Sequence, residues 1–156
     1  MKASELLKII RKNLEGYPID YLRNKATDDR YKDSLTKKLA KYNSSAYDEI
    51  YETEIKDDFE IKDGVIENIQ SDIGFYFDRY ASGDSQTREF TRNITLYLAL
   101  IAKRPLHPYT EDKNDDVYCF NGEFYCKGRA RYIHDERSLC RYCVCRNVSF
   151  SGMLLS

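Results

Sequence analysis

Apolar residues recur through the first hundred positions at three- and four-residue steps, the period of helices that bury one face. Leu6, Leu7, Ile9, Ile10 and Leu14 make the first stripe, with Ser4 before it as an N-cap and Gly16-Tyr17-Pro18 as its stop. A second helical region begins from Pro18, with a loop or kink at Thr27-Asp28-Asp29. Tyr31, Leu35, Leu39 and Tyr42 then continue the period until Asn43-Ser44-Ser45 interrupts it. Ser44 or Ser45 is expected to cap a third helix carrying Tyr47, Ile50, Tyr51 and Ile55, which gives way to a charged stretch and to Asp63-Gly64. Ile66, Ile69, Ile73, Phe77 and Tyr80 form the cleanest stripe, and Gly83 suits the left-handed position after a helix end. Phe90, Ile94, Tyr97, Leu98 and Ile101 line one face of the next helix, while Leu96, Ala99 and Leu100 make its other face apolar. That is the pattern of a helix at the centre of a bundle. Lys103-Arg104 suit its C-terminus and Pro105 stops it.

After Pro108 the helical period disappears. Thr110 to Asp116 is a polar, acidic loop, and Val117 to Cys126 reads as a hairpin centred on Asn121-Gly122, a pair that tolerates the positive φ angles of a type I′ turn. In that register Phe120 faces Glu123, Cys119 faces Phe124 and Val117 faces Cys126. The expected fold is mainly α: a bundle of about five helices in 1–105 and a small hairpin and cysteine-knuckle metal-binding segment in 106–156, packed as a single domain. The tail from Asn147 is mixed and packs on the domain or frays.

Composition narrows the function classes. A chain of 156 residues suits one core, and a net charge of -1 predicts no global attraction to nucleic acid or to an anionic membrane. No apolar run reaches the roughly 18 residues of a membrane span. The N-terminal stretch lacks the features of a signal peptide, so a cytoplasmic location is expected.

All five cysteines fall in the last third of the chain. Clustered cysteines in a reducing compartment point to ligands or redox groups rather than disulfides, and an odd count agrees. Cys140 and Cys143 form a Cys-x-x-Cys knuckle, the spacing that lets two thiolates hold one ion from a single turn, and Cys126 comes to them from the end of the hairpin. A tetrahedral site needs a fourth ligand from among His107, His134, Cys119 and Cys145. His107 is favoured, because it follows the last helix of the bundle and would clip the C-terminal segment to the helical body. Cys145 is expected to point away if both Cys140 and Cys143 bind, Cys119 and Cys145 to act as small buried apolar residues, and His134 to be exposed. A Cys3His set fits structural Zn²⁺. An all-cysteine set of Cys119, Cys126, Cys140 and Cys143 would suit an iron–sulfur cluster, and free thiols are the remaining case.

His107-Pro108, Tyr125-Cys126, Leu139-Cys140 and Cys143, behind a helical N-terminal region, resemble a family of uncharacterised proteins from methanogenic archaea. The resemblance covers the last third of the chain and implies His107, Cys126, Cys140 and Cys143 as the shared set. The chain departs from the family pattern after Pro108, where a Gly/Pro-rich loop would be expected and Tyr109 to Asp116 is acidic. The family carries no assigned activity.

Arg129, Arg131, Arg137, Arg141 and Arg146 interleave with Tyr125, Tyr132 and Tyr142, the composition of a surface offered to a protein or nucleic-acid partner. The alternative is that Asp135 and Glu136 pair with some of these arginines and others offset thiolate charge. Glu54-Ile55-Lys56 and Glu60-Ile61-Lys62 read as a charged helix face rather than a nuclease set. Phosphate loops, nucleophile elbows and His-Glu-x-x-His are absent from the sequence, so it carries no catalytic signature.

Overall fold

The computed structural model describes residues 1–30, 34–80, 84–133, 135, 137–148 and 154–155. Its first helix, α1 (Ala3–Asn13), buries Ala3, Leu6, Leu7 and Ile10, with Leu14 buried just beyond its end. Ser4 is not the cap. Lys2 occupies that position without a side-chain bond, and the Ser4 hydroxyl donates instead to the Asp58 carboxylate. The backbone agrees with that choice: the Ala3 amide donates to the Phe59 carbonyl at 2.8 Å and the Ile61 amide to the Met1 carbonyl at 2.8 Å. A contact far along the chain has taken the role the local sequence offered to a cap.

Helix α2 (Ile19–Thr27) starts after Pro18 and stops where the loop is expected. It lies on α3, to which Arg23 ties it through Asp48 at 2.6 Å. Helix α3 (Ser34–Glu52) runs unbroken through Asn43-Ser44-Ser45, which corrects the expected interruption. Ser44 is buried, and its hydroxyl donates to the Lys41 carbonyl at 3.1 Å. A serine that satisfies itself on the preceding turn can sit inside a helix, and the buried Ala40, Ala46 and Ile50 carry the apolar face across it. Ile55 falls beyond the end of this helix, and Tyr31 lies outside the described residues.

Helix α4 (Asp63–Tyr80) takes Asp63-Gly64 into its first turn and buries Ile66, Ile69, Ile73 and Phe77 as expected. Gly83 lies outside the described residues. Helix α5 (Ser85–Leu96) opens with Asp84 accepting from the Thr87 amide at 2.7 Å, and it continues as a π-helical stretch, Tyr97–Ala102, that ends on Lys103 at φ 54°. Burial of Phe90, Ile94, Leu96, Tyr97 and Leu98 makes this the central helix. Tyr97 holds it to α3: its hydroxyl meets Glu49 at 2.8 Å and Thr53 at 3.0 Å, and Arg104 donates to the other Glu49 oxygen. Burial pushes the Tyr97 phenol up to about 12.

The hairpin forms in the expected register, β1 (Val117–Phe120) against β2 (Glu123–Cys126), with Asn121 at φ 51° and Gly122 at φ 77°. The tail adds what the sequence did not disclose. Strand β3 (Arg146–Val148) runs parallel beside β2, and β4 (Leu154–Leu155) pairs antiparallel with β3. Between the hairpin and β3 lie a single helical turn, α6 (Arg129–Tyr132), and a 3-10 turn, Leu139–Arg141. Tyr109 joins this sheet to the helices, its ring 4.9 Å from Phe124 and 6.0 Å from Tyr42. The protein is therefore mainly helical with a small C-terminal sheet. No helix of the described residues is long and apolar enough to cross a membrane.

Candidate metal centre

His107 is placed by the segment that follows the π-helical stretch. The Arg104 amide donates to the Leu98 carbonyl at 2.9 Å, Pro105 is buried, and the Tyr42 hydroxyl donates to the Pro105 carbonyl at 2.6 Å. Cys126 arrives at the end of β2 opposite Val117. The knuckle is a tight turn: Ser138 accepts from the Cys140 amide at 3.2 Å and the Cys143 amide donates to the Cys140 carbonyl at 3.3 Å. Cys145 follows immediately before β3 and is buried.

These elements line one cavity of about 360 Å³, to which the C-terminal segment contributes His107, Cys126, Arg129, Cys140, Cys143 and Cys145 and the helices contribute side chains of α3, α4 and α5. All four residues of the sequence-derived set therefore share one cavity. Cys145, expected to point away, shares it too. Cys119 is half-buried and does not line it, and His134 lies outside the described residues. Among the described residues no three His, Cys, Asp or Glu side chains stand where a single ion could be held as they are placed.

The sulfurs are electrostatically unequal. The Cys145 thiol hydrogen-bonds to Cys143 and holds the Cys143 thiol below its ordinary value, against the opposing effect of burial and with help from the Cys145 and Leu106 amides and from His107. Cys145 is pushed strongly upward by the same bond and by burial. Burial raises Cys126, opposed by hydrogen bonds from the Gly128 and Arg129 amides to its sulfur. Peptide N–H groups aimed at sulfur favour the thiolate, the form in which cysteine binds metal. Arg129 adds a positive charge that acts on Cys145, while its guanidinium donates to the Cys140 carbonyl at 3.1 Å and to Asn147 at 2.9 Å.

The other arginines of the C-terminal segment have partners the sequence did not indicate. Asp72 on α4 is buried, and it accepts from Arg137 at 3.2 Å, Arg141 at 2.5 Å and the Tyr142 hydroxyl at 2.8 Å. Arg146 pairs with Glu123 across the sheet at 2.9 Å. The only local signal for Asp72 was an acidic residue in phase with Ile69 and Ile73 on the buried stripe. Such a residue must find cationic partners, but nothing in the sequence says where they come from.

Fold and site together define a mainly helical protein whose C-terminal sheet and knuckle bring thiols and an imidazole to the end of its helices. The chain belongs to the family described as "Uncharacterized protein conserved in archaea (DUF2115)", which matches residues 2–148. It is 27% identical to a UPF0305 protein of Methanocaldococcus jannaschii over 95% of this chain and 98% of that one. It is 30% identical to a UPF0305 protein of Methanococcus maripaludis over 60% of this chain and 57% of that one. No solved structure matches it.

Proposed function

We propose a cytosolic metal-binding protein in which Zn²⁺, held by His107, Cys126, Cys140 and Cys143, fastens the hairpin and knuckle to the helical body. One observation carries the reading: these four donors, from three segments spread over 37 positions of sequence (107 to 143), line a single cavity. The donor chemistry fits a thiophilic divalent ion. The amides directed at Cys143 support thiolate there, those at Cys126 offset part of the burial that favours its thiol, and Arg129 supplies a compensating charge. Ligation requires the donors to close on the ion from their present separation, so metal binding and ordering of the segment are one process. Zinc would supply cross-linking of three chain segments, not a reaction.

A second reading rests on Cys145. With it on the cavity, Cys126, Cys140, Cys143 and Cys145 form a four-thiol set suited to an iron–sulfur cluster without Cys119. In either case the Arg/Tyr face around α6, with Arg131 and the exposed Tyr132, meets a protein or nucleic-acid partner. A nucleic-acid partner predicts retention on heparin or RNA that weakens steeply with salt.

Elemental analysis of anaerobically purified protein tests the metal. One zinc per colourless chain is expected; bound iron with a brown chromophore overturns zinc in favour of the cluster, and a metal-free folded chain overturns both. Cys140→Ser should abolish metal content and Cys145→Ser should leave it intact. Equal loss from both would replace His107 by Cys145 in the ligand set.

A further inference from the structure

The cavity is larger than a metal site needs, and the side chains that the helices contribute to it differ in character from the thiols. Protein interiors leave few voids bigger than a water molecule, whereas this one, about 360 Å³ in all, lies in the range of small-molecule sites, roughly 300–1,000 Å³. Its helical wall is built by Leu39, Phe90, Ile94 and Leu98, and none of the side chains that α3, α4 and α5 contribute is charged. The helices offer an ionic ligand no charged partner to offset its lost hydration; the cationic or ionisable lining groups, Arg129, His107 and the thiols, all come from outside the helical wall.

The wall also carries hydrogen-bonding groups with nothing to bond. Thr95 is 6% exposed and Asn43 is half-buried; both line the cavity, and neither side chain makes a hydrogen bond among the described residues. A threonine inside a helix commonly returns its hydroxyl to the carbonyl one turn back, as Thr53 does to Glu49 at 2.7 Å. Thr95 does not. The Thr95 hydroxyl is not among the buried atoms left without a partner, which among the described residues are Arg92 Nε and Arg104 Nε, so it opens onto the cavity and can bond to a ligand group there. The wall then passes at Tyr97 into π-helix, an irregularity found often at functional sites.

We infer that this cavity is a binding chamber for a small, uncharged, largely apolar organic molecule that lies along its helical wall and hydrogen-bonds to Thr95 and Asn43. The inference does not depend on the metal, since none of these contacts involves the thiols or His107.

The test is a fluorescence titration of the protein as purified with N-phenyl-1-naphthylamine, a neutral probe that joins a naphthalene and a phenyl ring through one N–H donor. Saturable binding of one probe per chain is expected. Leu39→Trp, which fills the chamber from the α3 side, should weaken binding at least tenfold, and Thr95→Val about three- to tenfold, with circular dichroism unchanged. Thr91→Phe, one turn before Thr95 on the same wall, serves as a second plug if the Leu39 variant does not fold. The anionic analogue 1-anilinonaphthalene-8-sulfonate should bind at least tenfold more weakly. Absence of saturable binding, full affinity in a folded plugged variant, or tighter binding of the anion would overturn the inference. Metal content is read separately on the same preparation, so failure of the zinc reading and failure of the chamber are distinct results.

Discussion

Replacement of Asp72 by alanine should loosen the docking of the C-terminal segment on α4 more than any surface substitution. The carboxylate is 5% exposed and accepts three hydrogen bonds, from Arg137, Arg141 and Tyr142. Hydrogen bonds to charged groups contribute about 1.5–3 kcal/mol each when desolvated. The Arg137 side chain is 50% exposed and that of Arg141 35%, so their shares fall toward the roughly 0–1 kcal/mol of exposed ion pairs. The Tyr142 bond, to a buried acceptor, keeps about 1.5 kcal/mol. The sum for Asp72→Ala is about 1.5–3.5 kcal/mol. It stays below the cost of breaking a fully buried pair, because the variant removes the buried charge and leaves its former partners able to reach water. Arg141→Ala does the reverse, stranding the carboxylate with fewer donors, and should cost a comparable amount despite the exposure of the arginine. Urea unfolding at constant m-value measures both variants, and a double-mutant cycle reads their coupling, expected at about 1 kcal/mol or more. Hydrogen exchange should place the loss first in the knuckle around 139–145. An Asp72→Ala stability within about 0.5 kcal/mol of the parent, the usual range for surface substitutions, would refute the view that this carboxylate holds the segment down.

Three further outcomes follow from other parts of the fold. Tyr97→Phe keeps the packing of the central helix but removes the hydroxyl shared by Glu49 and Thr53, and should cost about 1–2 kcal/mol in thermal or urea unfolding. Gly122→Ala meets no neighbouring atom, yet its φ of 77° is left-handed, so it should cost about 1–2 kcal/mol and broaden the amide resonances of the hairpin, while Gly122→Asn should be milder. Hydrogen bonds from Ser4 lower the Asp58 carboxyl, and those from Thr87 lower that of Asp84, below their ordinary 3.8. A depressed carboxyl contributes stability that is fully present above that ordinary value and disappears as pH falls through the folded value. The stability gap between the parent and Asp58→Asn or Asp84→Asn should therefore be constant from pH 5 to 7 and close in stronger acid; a gap that widened there would contradict the assignment.

The stripes in α1, α4 and α5 and the Asn121-Gly122 hairpin were legible because each rests on neighbours within one turn or one strand pair. The misreadings share a cause. Ser4 and Ser44 both carry side chains suited to capping, but what those hydroxyls bond was decided by what reached them: Asp58 from a distant stretch for Ser4, and for Ser44 an apolar face that makes a continuous α3 better than two pieces.

Spacing paired Cys140 with Cys143 and brought Cys126 to them from the hairpin end, both local shapes with foreseeable directions, while His107 was favoured for its place after the last helix; all four line one cavity. Side-chain direction two residues past the knuckle is not local. Cys145 turns to the cavity because β3 pairs in parallel with β2, a long-range pairing that periodicity does not encode. The partners of the arginines were hidden for the same reason, as Asp72 lies 65 to 70 residues away along the chain. The sequence by itself determined a helical body, a hairpin and a thiol-rich end. Tertiary packing decided that these enclose one cavity, lined both by thiols and an imidazole and by uncharged helical side chains.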